Sequence, residues 1–434
     1  MKYYSTNRSV PEVSLREAVI KGIADDRGLF MPERIETLPD AFFSGIQDLS
    51  FQDISFEVAK KFFGEDIPDG DLRTLVDDTL SFDCPVMHVQ DQIYALELYH
   101  GPTMAFKDVG GRFMARLLAY FLQGQQEQVN VLVATSGDTG SAVANGFLGV
   151  PGIRVYVLYP KGLVSEIQEK QFTTLGQNIT ALEVDGTFDD CQRLVKSAFL
   201  DEELRSSLTL TSANSINVAR FLPQAFYYFN AYARMRGKGV ANEIVVSVPS
   251  GNFGNLTAGL FAKKMGLPVK RFLAANNEND VVHQYLQTGL YAPRTSVATI
   301  ANAMDVGDPS NFARILDLYH HAHEAVRKDI QGFRYSDKEI RKVVREVYED
   351  SGYLLDPHGA TGYQALAEGL KPGETGVFLA TAHPAKFLDT MEDIVGKGNV
   401  PIPEKLAGFM KKEKLSVPLG KDFNDLKAFL LRGS

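Results

Sequence analysis

The feature that most constrains the fold is a change of rhythm after about residue 90. From there, short apolar runs rich in β-branched residues are each followed by a glycine- or serine-rich turn and then by a helical pattern. The runs are residues 130–134, 153–159, 179–184, 243–248, 269–274 and 376–380. Strands that alternate with helices predict an α/β fold with a largely parallel sheet. In such sheets ligands bind beyond the carboxyl ends of strands, where these turns lie.

The first 90 or so residues show a mostly helical pattern instead. Ser14 precedes an amphipathic stretch that runs to residue 23, and Glu17 follows it at the spacing of a capping box. We predict a mostly helical N-terminal domain over residues 1–92, which packs against the rest and covers the site. The chain has 434 residues, enough for two or three domains. Pattern alone divides the remainder into α/β domains at residues 93–235 and 236–434.

Composition limits the partners and the location. The net charge of −9 gives no reason to expect nucleic acid or an anionic membrane surface. No run of about 18 apolar residues predicts a membrane span, and the N-terminus has no apolar signal region. Cys84 and Cys191 are too few for a disulfide framework, which favours the cytoplasm. His320 and His323 have helical spacing, but no nearby carboxylate or cysteine completes a site, so we expect no metal.

A lysine stands at the start of a predicted helix. An apolar run at residues 93–98 leads into a Gly-Pro turn, and the helical pattern begins near Lys107. A helix N-terminus and partial burial both disfavour the ammonium form, so both would lower the pKa of Lys107. A neutral amine is a nucleophile. From spacing alone, a surface lysine in a first helical turn is the more common outcome.

Two strand–turn–helix segments offer backbone N–H groups to an anion. In residues 133–142, Ser136 and Thr139 add hydroxyl donors to a glycine-containing turn. In residues 248–256, Gly251 and Gly254 precede a helix, which suits a phosphate. The second segment matches neither the Rossmann nor the Walker pattern, and it has no GxSxG elbow. An ordinary capped turn explains each segment about as well.

Two further segments carry weaker signals. In residues 212–220, a helix could bring Arg220 beside Ser215, and this pair suits a phosphate ester. A capped helix with a surface arginine explains the segment as readily. In residues 379–387, Thr381 stands at a predicted strand end. His383 could act as a base, although an orienting or core-edge histidine is the safer interpretation.

Together and in this order, the five segments resemble the threonine synthase family of fold-type II enzymes that use pyridoxal phosphate (PLP). The matching stretches are HGPTMAFKD (100–108), TSGDTG (135–140), SANSIN (212–217), PSGNFG (249–254) and TAHPAKF (381–387). Residues 28–30 look like the family's opening segment, and the family usually has Leu where Met104 stands. The resemblance covers nearly the whole chain. It implies a tryptophan synthase β-like fold: largely parallel twisted sheets flanked by helices, plus the helical N-terminal domain.

The resemblance also implies residue roles. Lys107 would be the catalytic residue and would hold pyridoxal 5'-phosphate as a Schiff base. The implied cofactor-binding residues are Lys107, Asp138, Gly251, Asn252, Phe253, Gly254, Asn255 and Thr381. The implied substrate-binding residues are Ser136, Gly137 and Thr139 near the carboxylate, and Ser215 and Arg220 at the phosphate. Asp138 stands where many fold-type II enzymes place an Asn near the cofactor O3′, so its contact is left open.

The activity implied by the resemblance is the last step of threonine biosynthesis. O-phospho-L-homoserine and water would give L-threonine and phosphate, in a cytoplasmic enzyme that is a monomer or a homodimer. Two alternatives stay open on the sequence. One is a related PLP-dependent phospho-lyase that releases a 2-oxo acid. The other is a non-catalytic threonine synthase-like protein that binds a phosphorylated ligand or a partner protein.

Overall fold

The strands include all six that the sequence predicts. In this computed structural model, residues 1–124, 128–240 and 243–432 are described. The strands are β1 (Lys2–Ser5), β2 (Val13–Ser14), β3 (Phe30–Pro32), β4 (Val86–Gln90), β5 (Ile93–Glu97), β6 (Val129–Ala134), β7 (Ile153–Pro160), β8 (Ile179–Val184), β9 (Thr209–Ser212), β10 (Glu243–Pro249), β11 (Val269–Asn276), β12 (Ile330–Arg334), β13 (Glu374–Ala380) and β14 (Val417–Leu419). All six runs identified in the sequence form strands.

Helices connect and flank these strands. They are α1 (Leu15–Lys21), α2 (Asp40–Gly45), α3 (Phe51–Phe63), α4 (Asp69–Thr79), α5 (Lys107–Leu122), α6 (Asp138–Phe147), α7 (Glu166–Thr173), α8 (Phe188–Leu200), α9 (Glu202–Ser207), α10 (Val218–Phe221), α11 (Ala225–Gly237), α12 (Gly254–Lys264), α13 (Val281–Thr288), α14 (Phe312–Leu318), α15 (His323–Asp329), α16 (Asp337–Ser351), α17 (Pro357–Gly369), α18 (Leu388–Val395), α19 (Glu404–Met410) and α20 (Phe423–Arg432). Short 3₁₀ helices occupy Ile46–Asp48, Leu222–Gln224, Asn302–Met304 and Pro384–Phe387.

Two mainly parallel sheets form the body of the fold. One has the order β12-β11-β10-β13-β5-β4 and the other β14-β8-β7-β6-β9. The pairs within them are parallel except β4 with β5, at an edge. Every residue of β6 and β13 is buried, because helices cover both faces of these sheets. The predicted α/β fold with parallel sheets is therefore confirmed.

The N-terminal region contains a small sheet that the sequence pattern did not predict. Besides α1–α4, an antiparallel sheet with the order β2-β1-β3 forms between residues 2 and 32. Its strands have only two to four residues, too few to show a period of two. The capping box at the start of α1 is confirmed: Ser14 Oγ accepts from Glu17 N at 3.2 Å, and the Glu17 carboxylate accepts from Ser14 N at 3.1 Å.

Strand pairing crosses the domain boundaries predicted from the sequence. β5 pairs with β13, so residues 93–97 belong to the sheet that contains β10–β13. In return, β14 pairs with β8 in the other sheet. Pattern alone cannot reveal pairing between segments this distant in the chain, and the boundaries at 92 and 235 stay predictions. The last two residues of the third predicted domain lie outside the described residues.

The histidines at 320–323 do not share a helix face, contrary to the expected spacing. His320 and His321 adopt left-handed backbone conformations after α14 has ended, with φ of 51° and 58°. His323 then begins α15. Within the described ranges, no group of three His, Cys, Asp or Glu side chains is placed to hold a metal ion. The same ranges contain no helix that is both long and apolar enough to cross a membrane.

Candidate active site

A cavity of about 290 Å³ lies where the carboxyl ends of the two parallel sheets meet. The turns after β6, β9, β10 and β13 all open onto it, as expected for ligand sites in parallel sheets. The sequence-predicted residues that line it are Lys107, Ser136, Thr139, Ser215, Arg220, Gly251, Asn252, Phe253, Gly254, Asn255 and Thr381. Gly137 and Asp138 lie behind this lining. Segments up to 274 residues apart in the chain thus converge on one site.

Backbone contacts fix the position of Lys107 beside Thr381. The segment before Lys107 forms an antiparallel bridge between Ala105 and Ala382. The Phe106 N–H then donates to the Thr381 carbonyl at 2.8 Å. Because α5 begins at Lys107, its side chain extends from a braced turn into the cavity. Asp108 closes this turn, because its carboxylate accepts from the Thr103 N–H at 2.9 Å and from the Thr103 hydroxyl at 2.6 Å.

The Lys107 amine has an unusual charge environment. Burial lowers its pKa to about 8 from the ordinary value of 10.5, opposed by the nearby Asp138 carboxylate and assisted by Lys386 and Arg220. A neutral amine is therefore accessible near neutral pH, and the amine can act as a nucleophile or a base. The lowered pKa expected from the sequence is confirmed, with burial as its main cause.

Asp138 forms a buried ion pair with Lys386, a residue that the sequence analysis did not identify. Lys386 is fully buried; its Nζ lies 2.6 Å from Asp138 Oδ1 and donates to the Thr103 carbonyl at 2.9 Å. Gln168 Nε2 also donates to Asp138 Oδ1, at 2.8 Å. Burial acts to raise the pKa of Asp138, but Lys386 and Lys107 outweigh it and hold that pKa below its ordinary range. Because a buried aspartate needs a cation, a lysine in one of the matching segments was a candidate partner, and Lys386 lies in the fifth segment.

The turn after β6 depends on Gly137. Thr135 Oγ1 accepts from the N–H groups of Gly137 at 2.9 Å and Gly140 at 2.8 Å, which closes the turn. Gly137 has a φ of 142°, and a Cβ there would approach the Gln168 side chain to 2.6 Å. Glycine is therefore required at this position. The closed turn places Ser136 and Thr139 on the cavity wall at the start of α6.

The turn after β10 forms a cradle suited to a phosphate. A Cβ on Gly251 would lie 2.7 Å from the Ala303 carbonyl oxygen, so only glycine fits. Phe253 is left-handed with a φ of 60°, and α12 begins at Gly254. The first N–H groups of a helix have no partner within the helix, and its dipole favours an anion. Together with the Lys107 amine, whose pKa is lowered, these features fit a cofactor that carries an aldehyde and a phosphate.

A second polar subsite lies beside this cradle. Ser215 Oγ accepts from Asn252 Nδ2 at 2.6 Å and from Asn311 Nδ2 at 3.1 Å. The Arg220 guanidinium donates to the Ala213 carbonyl, while its buried Nε has no hydrogen-bond partner among the described residues. Burial lowers the pKa of Arg220 to about 10, so it is still a cation at neutral pH. A buried cation with an unused donor is suited to bind an anion.

Other parts of the lining carry no recognisable sequence motif. An irregular segment around the 3₁₀ helix Asn302–Met304 covers one side of the cavity. His358 holds it: Nε2 accepts from the Ala303 N–H at 3.1 Å, while Nδ1 lies 2.6 Å from Asp356 Oδ2. His383 does not line the cavity. Burial lowers its pKa to about 4, and its Nδ1 accepts from the Ala385 N–H at 3.1 Å, which favours the structural interpretation.

Family comparisons match nearly the whole chain. The family described as pyridoxal-phosphate dependent enzyme matches residues 79–382. The threonine synthase N terminus family matches residues 2–80, and the threonine synthase, C-terminal family matches residues 359–430. The threonine synthase of Serratia marcescens is 45% identical over 434 residues, which is 99% of each chain.

Solved structures agree with these matches. The crystal structure of threonine synthase from Escherichia coli superposes with a TM-score of 0.93 at 43% identity and covers 100% of both chains. The PLP-bound threonine synthase from Brucella melitensis superposes with a TM-score of 0.92 at 33% identity, covering 100% of this chain and 99% of the other. The fold-type II architecture expected from the sequence is confirmed.

Proposed function

The chain belongs to the threonine synthase family of PLP-dependent enzymes, and from this premise we propose that it converts O-phospho-L-homoserine and water into L-threonine and phosphate. It catalyses the last step of threonine biosynthesis and uses pyridoxal phosphate. One observation supports the proposed substrate best. A single cavity brings the amine of Lys107 together with two neighbouring regions whose chemistry suits anions. A phosphorylated cofactor and a phosphorylated substrate need both.

The first region is proposed to hold the cofactor. Gly251, Asn252, Phe253, Gly254 and Asn255 would bind its phosphate, with α12 pointing its N-terminus at the anion. Lys107 would hold its aldehyde carbon covalently, and Thr381 would face the pyridine nitrogen. When bound, the cofactor supplies an electron sink next to the substrate Cα. Asp138 is ionised, is paired with Lys386 and does not line the cavity. It would act on the Lys107 amine through its negative charge.

The second region is proposed to bind the substrate phosphate. Arg220 presents a buried positive charge, and Ser215 presents a hydroxyl. Arginine stabilises the charge that develops on oxygen as the phosphate leaves Cγ. At the other end of the substrate, the turn at Ser136, Gly137 and Thr139 would hold the carboxylate.

Lys107 is the residue proposed to move protons. The reaction removes one proton each from Cα and Cβ and breaks the Cγ–O bond to phosphate. It then returns protons to Cγ and Cα and adds the hydroxyl group of water at Cβ, while the other proton of that water leaves with phosphate. The Lys107 Nζ accepts a proton only when neutral, and the pKa of about 8 makes both protonation states accessible during turnover. Burial of the amine limits the access of water to the early steps.

Product analysis tests the proposal. Purified holoenzyme incubated with O-phosphohomoserine is expected to release threonine and phosphate in equal amounts. Release of 2-oxobutyrate in place of threonine would identify the chain as the related phospho-lyase. Absence of any phosphate release, with cofactor bound, would favour a binding protein.

The location and assembly state are proposed on the same basis. We infer a cytoplasmic enzyme, because Cys84 and Cys191 are both free and buried. We infer a monomer or a homodimer acting on a small molecule. Sedimentation of the holoenzyme tests the assembly state.

A further inference from the structure

The hydroxyl group of Ser215 is held in one orientation. A serine hydroxyl has one donor proton and two acceptor lone pairs. Asn252 Nδ2 donates to Ser215 Oγ at 2.6 Å, and Asn311 Nδ2 donates at 3.1 Å. Both lone pairs are therefore occupied by amide donors. The remaining capacity of this oxygen is its proton, which is free to donate to a ligand in the cavity that Ser215 lines.

Both amides are fixed by donors whose direction is not in doubt. The backbone N–H of Ser310 donates to Asn252 Oδ1 at 2.7 Å, so the NH₂ end of Asn252 must face Ser215. Arg314 Nη1 donates to Asn311 Oδ1 at 2.6 Å, so the NH₂ end of Asn311 must face Ser215 as well. A guanidinium has donors only. The orientation of the hydroxyl thus follows from Arg314 and Ser310.

Arg314 is fully buried, and the contacts of its guanidinium are to neutral acceptors. It donates to the Phe30 carbonyl at 3.0 Å, the Ser215 carbonyl at 3.2 Å and the Ile216 carbonyl at 2.6 Å. Among the described residues it makes no ion pair within 4.0 Å. It also stacks on Phe221, 4.0 Å from the ring centroid. An uncompensated buried cation is costly, so a positive charge kept beside Ser215 calls for a function.

The second anion region also abuts the cofactor cradle. A Cβ on Gly254 would lie 3.1 Å from Ser215 Cβ and 3.3 Å from Asn311 Nδ2. Asn311 therefore occupies the wall between the two regions. Arg314 contacts the Ser215 carbonyl, and Arg220 lines the same cavity as Ser215.

We propose that Asn311 and Arg314 are positioning residues for the phosphorylated substrate. Arg314 fixes the amide of Asn311, and Asn311 fixes the hydroxyl of Ser215 as a donor to a phosphoryl oxygen. This inference rests on the proposed function, because it assigns the phosphate group to the region around Ser215. Two residues that do not touch the substrate thus contribute to the specificity of the site for a phosphate group.

Asn311→Asp tests the inference by reversing the polarity of one contact with almost no change in shape. The Ser215 hydroxyl would then donate to the new carboxylate and would no longer be available to phosphate. We expect a loss of about tenfold to a hundredfold in kcat/KM for O-phosphohomoserine, with most of the loss in KM. The affinity of the holoenzyme for inorganic phosphate, measured by equilibrium dialysis, is expected to fall in parallel. Cofactor content is expected to stay at the wild-type level.

A double-mutant cycle with Ser215→Ala separates positioning from general damage. If Asn311 acts through Ser215, Asn311→Ala in the Ser215→Ala background costs less than threefold, and Asn311→Asp in that background retains only the repulsion between its carboxylate and phosphate. An equal cost in both backgrounds would overturn the inference, as would wild-type phosphate affinity in Asn311→Asp. Asn399→Asp makes the same chemical change on the exposed surface and is the control. If Asn311→Asp does not fold, Asn311→Ala in the same cycle answers the question, with a smaller loss expected.

The two levels of the account fail differently. If the wild-type holoenzyme does not form threonine from O-phosphohomoserine, the proposed function is wrong. If wild type forms threonine and the Asn311 variants bind phosphate as wild type does, only the role of Asn311 and Arg314 is wrong.

Discussion

The Nζ of Lys386 lies 2.6 Å from Asp138 Oδ1, and both side chains are buried beneath the wall of the cavity. This pair carries two of the charges that act on Lys107: the Asp138 carboxylate raises the pKa of the amine, and the Lys386 ammonium lowers it. Because the two effects oppose each other, the amine responds mainly to its own burial. The ion pair therefore places two opposite charges near Lys107 whose effects on its pKa partly cancel.

Lys386→Met is expected to destabilise the fold strongly. Removal of one partner leaves the Asp138 carboxylate buried without its cation, at a cost of about 3–5 kcal/mol in the free energy of unfolding. Urea denaturation of the apoprotein measures it. The double variant Lys386→Met/Asp138→Asn should recover a large part of the loss, because the unpaired charge is gone. A double variant no more stable than Lys386→Met would contradict this account of the pair.

The rate at which the apoprotein binds PLP covalently is expected to depend on pH through Lys107. Burial lowers the pKa of this amine to about 8, so it is mostly protonated and unreactive below that pH and mostly neutral above it. The rate should rise about tenfold per pH unit up to about pH 8 and then level off. Stopped-flow absorbance at constant ionic strength measures it. A rate still rising at pH 10 would show that the amine has its ordinary pKa.

Arg220→Ala is expected to lower kcat/KM for the phosphorylated substrate. The loss corresponds to roughly 2–4 kcal/mol of transition-state stabilisation for a bidentate, buried contact with phosphate. Cofactor retention should change little, because the proposed cofactor phosphate region lies in a different turn. Steady-state kinetics and cofactor titration on the same samples measure both effects. Arg205→Ala, in exposed α9, is the matched control. Parallel loss of cofactor and substrate binding would contradict the separation of the two anion regions.

Gly251→Ala is expected to reduce PLP affinity by at least about tenfold. The added methyl group would meet backbone atoms, the Ala303 carbonyl oxygen at 2.7 Å and Met304 Cα at 2.8 Å, so the cradle must open. Equilibrium dialysis against PLP measures it. Gly70→Ala, where a Cβ meets nothing within 4 Å, is the matched control and should bind PLP normally. Unchanged affinity in Gly251→Ala would show that the turn after β10 does not enclose the cofactor phosphate.

The sequence was most informative where local chemistry decides the structure. Strand runs, turns and the capping box at Ser14 depend on neighbouring residues, and the structure confirms them. The proximity of Lys107 and Thr381 also follows, because both come after paired parallel strands of one sheet, whereas Ser215 comes after β9 in the other sheet.

The residues that sequence reasoning missed act over long distances in the chain. Lys386 finds Asp138 across 248 positions, and Arg314 reaches the Phe30 carbonyl across 284. Lys386 lies in the fifth matching stretch, but nothing near it in the sequence identifies Asp138 as its partner, and Arg314 lies in no matching stretch. The pairing of β5 with β13 could not be predicted either, because the two strands are far apart in the sequence.

Covalent attachment of the cofactor to Lys107 is the claim on which the account depends most. The direct test is reduction of the holoenzyme with borohydride, followed by proteolysis and mass spectrometry of the peptides. We expect the reduced pyridoxyl phosphate group on Lys107 at a stoichiometry near one, and its loss in Lys107→Ala with the fold retained. Attachment to another lysine, or no attachment in a holoenzyme saturated with cofactor, would contradict the account.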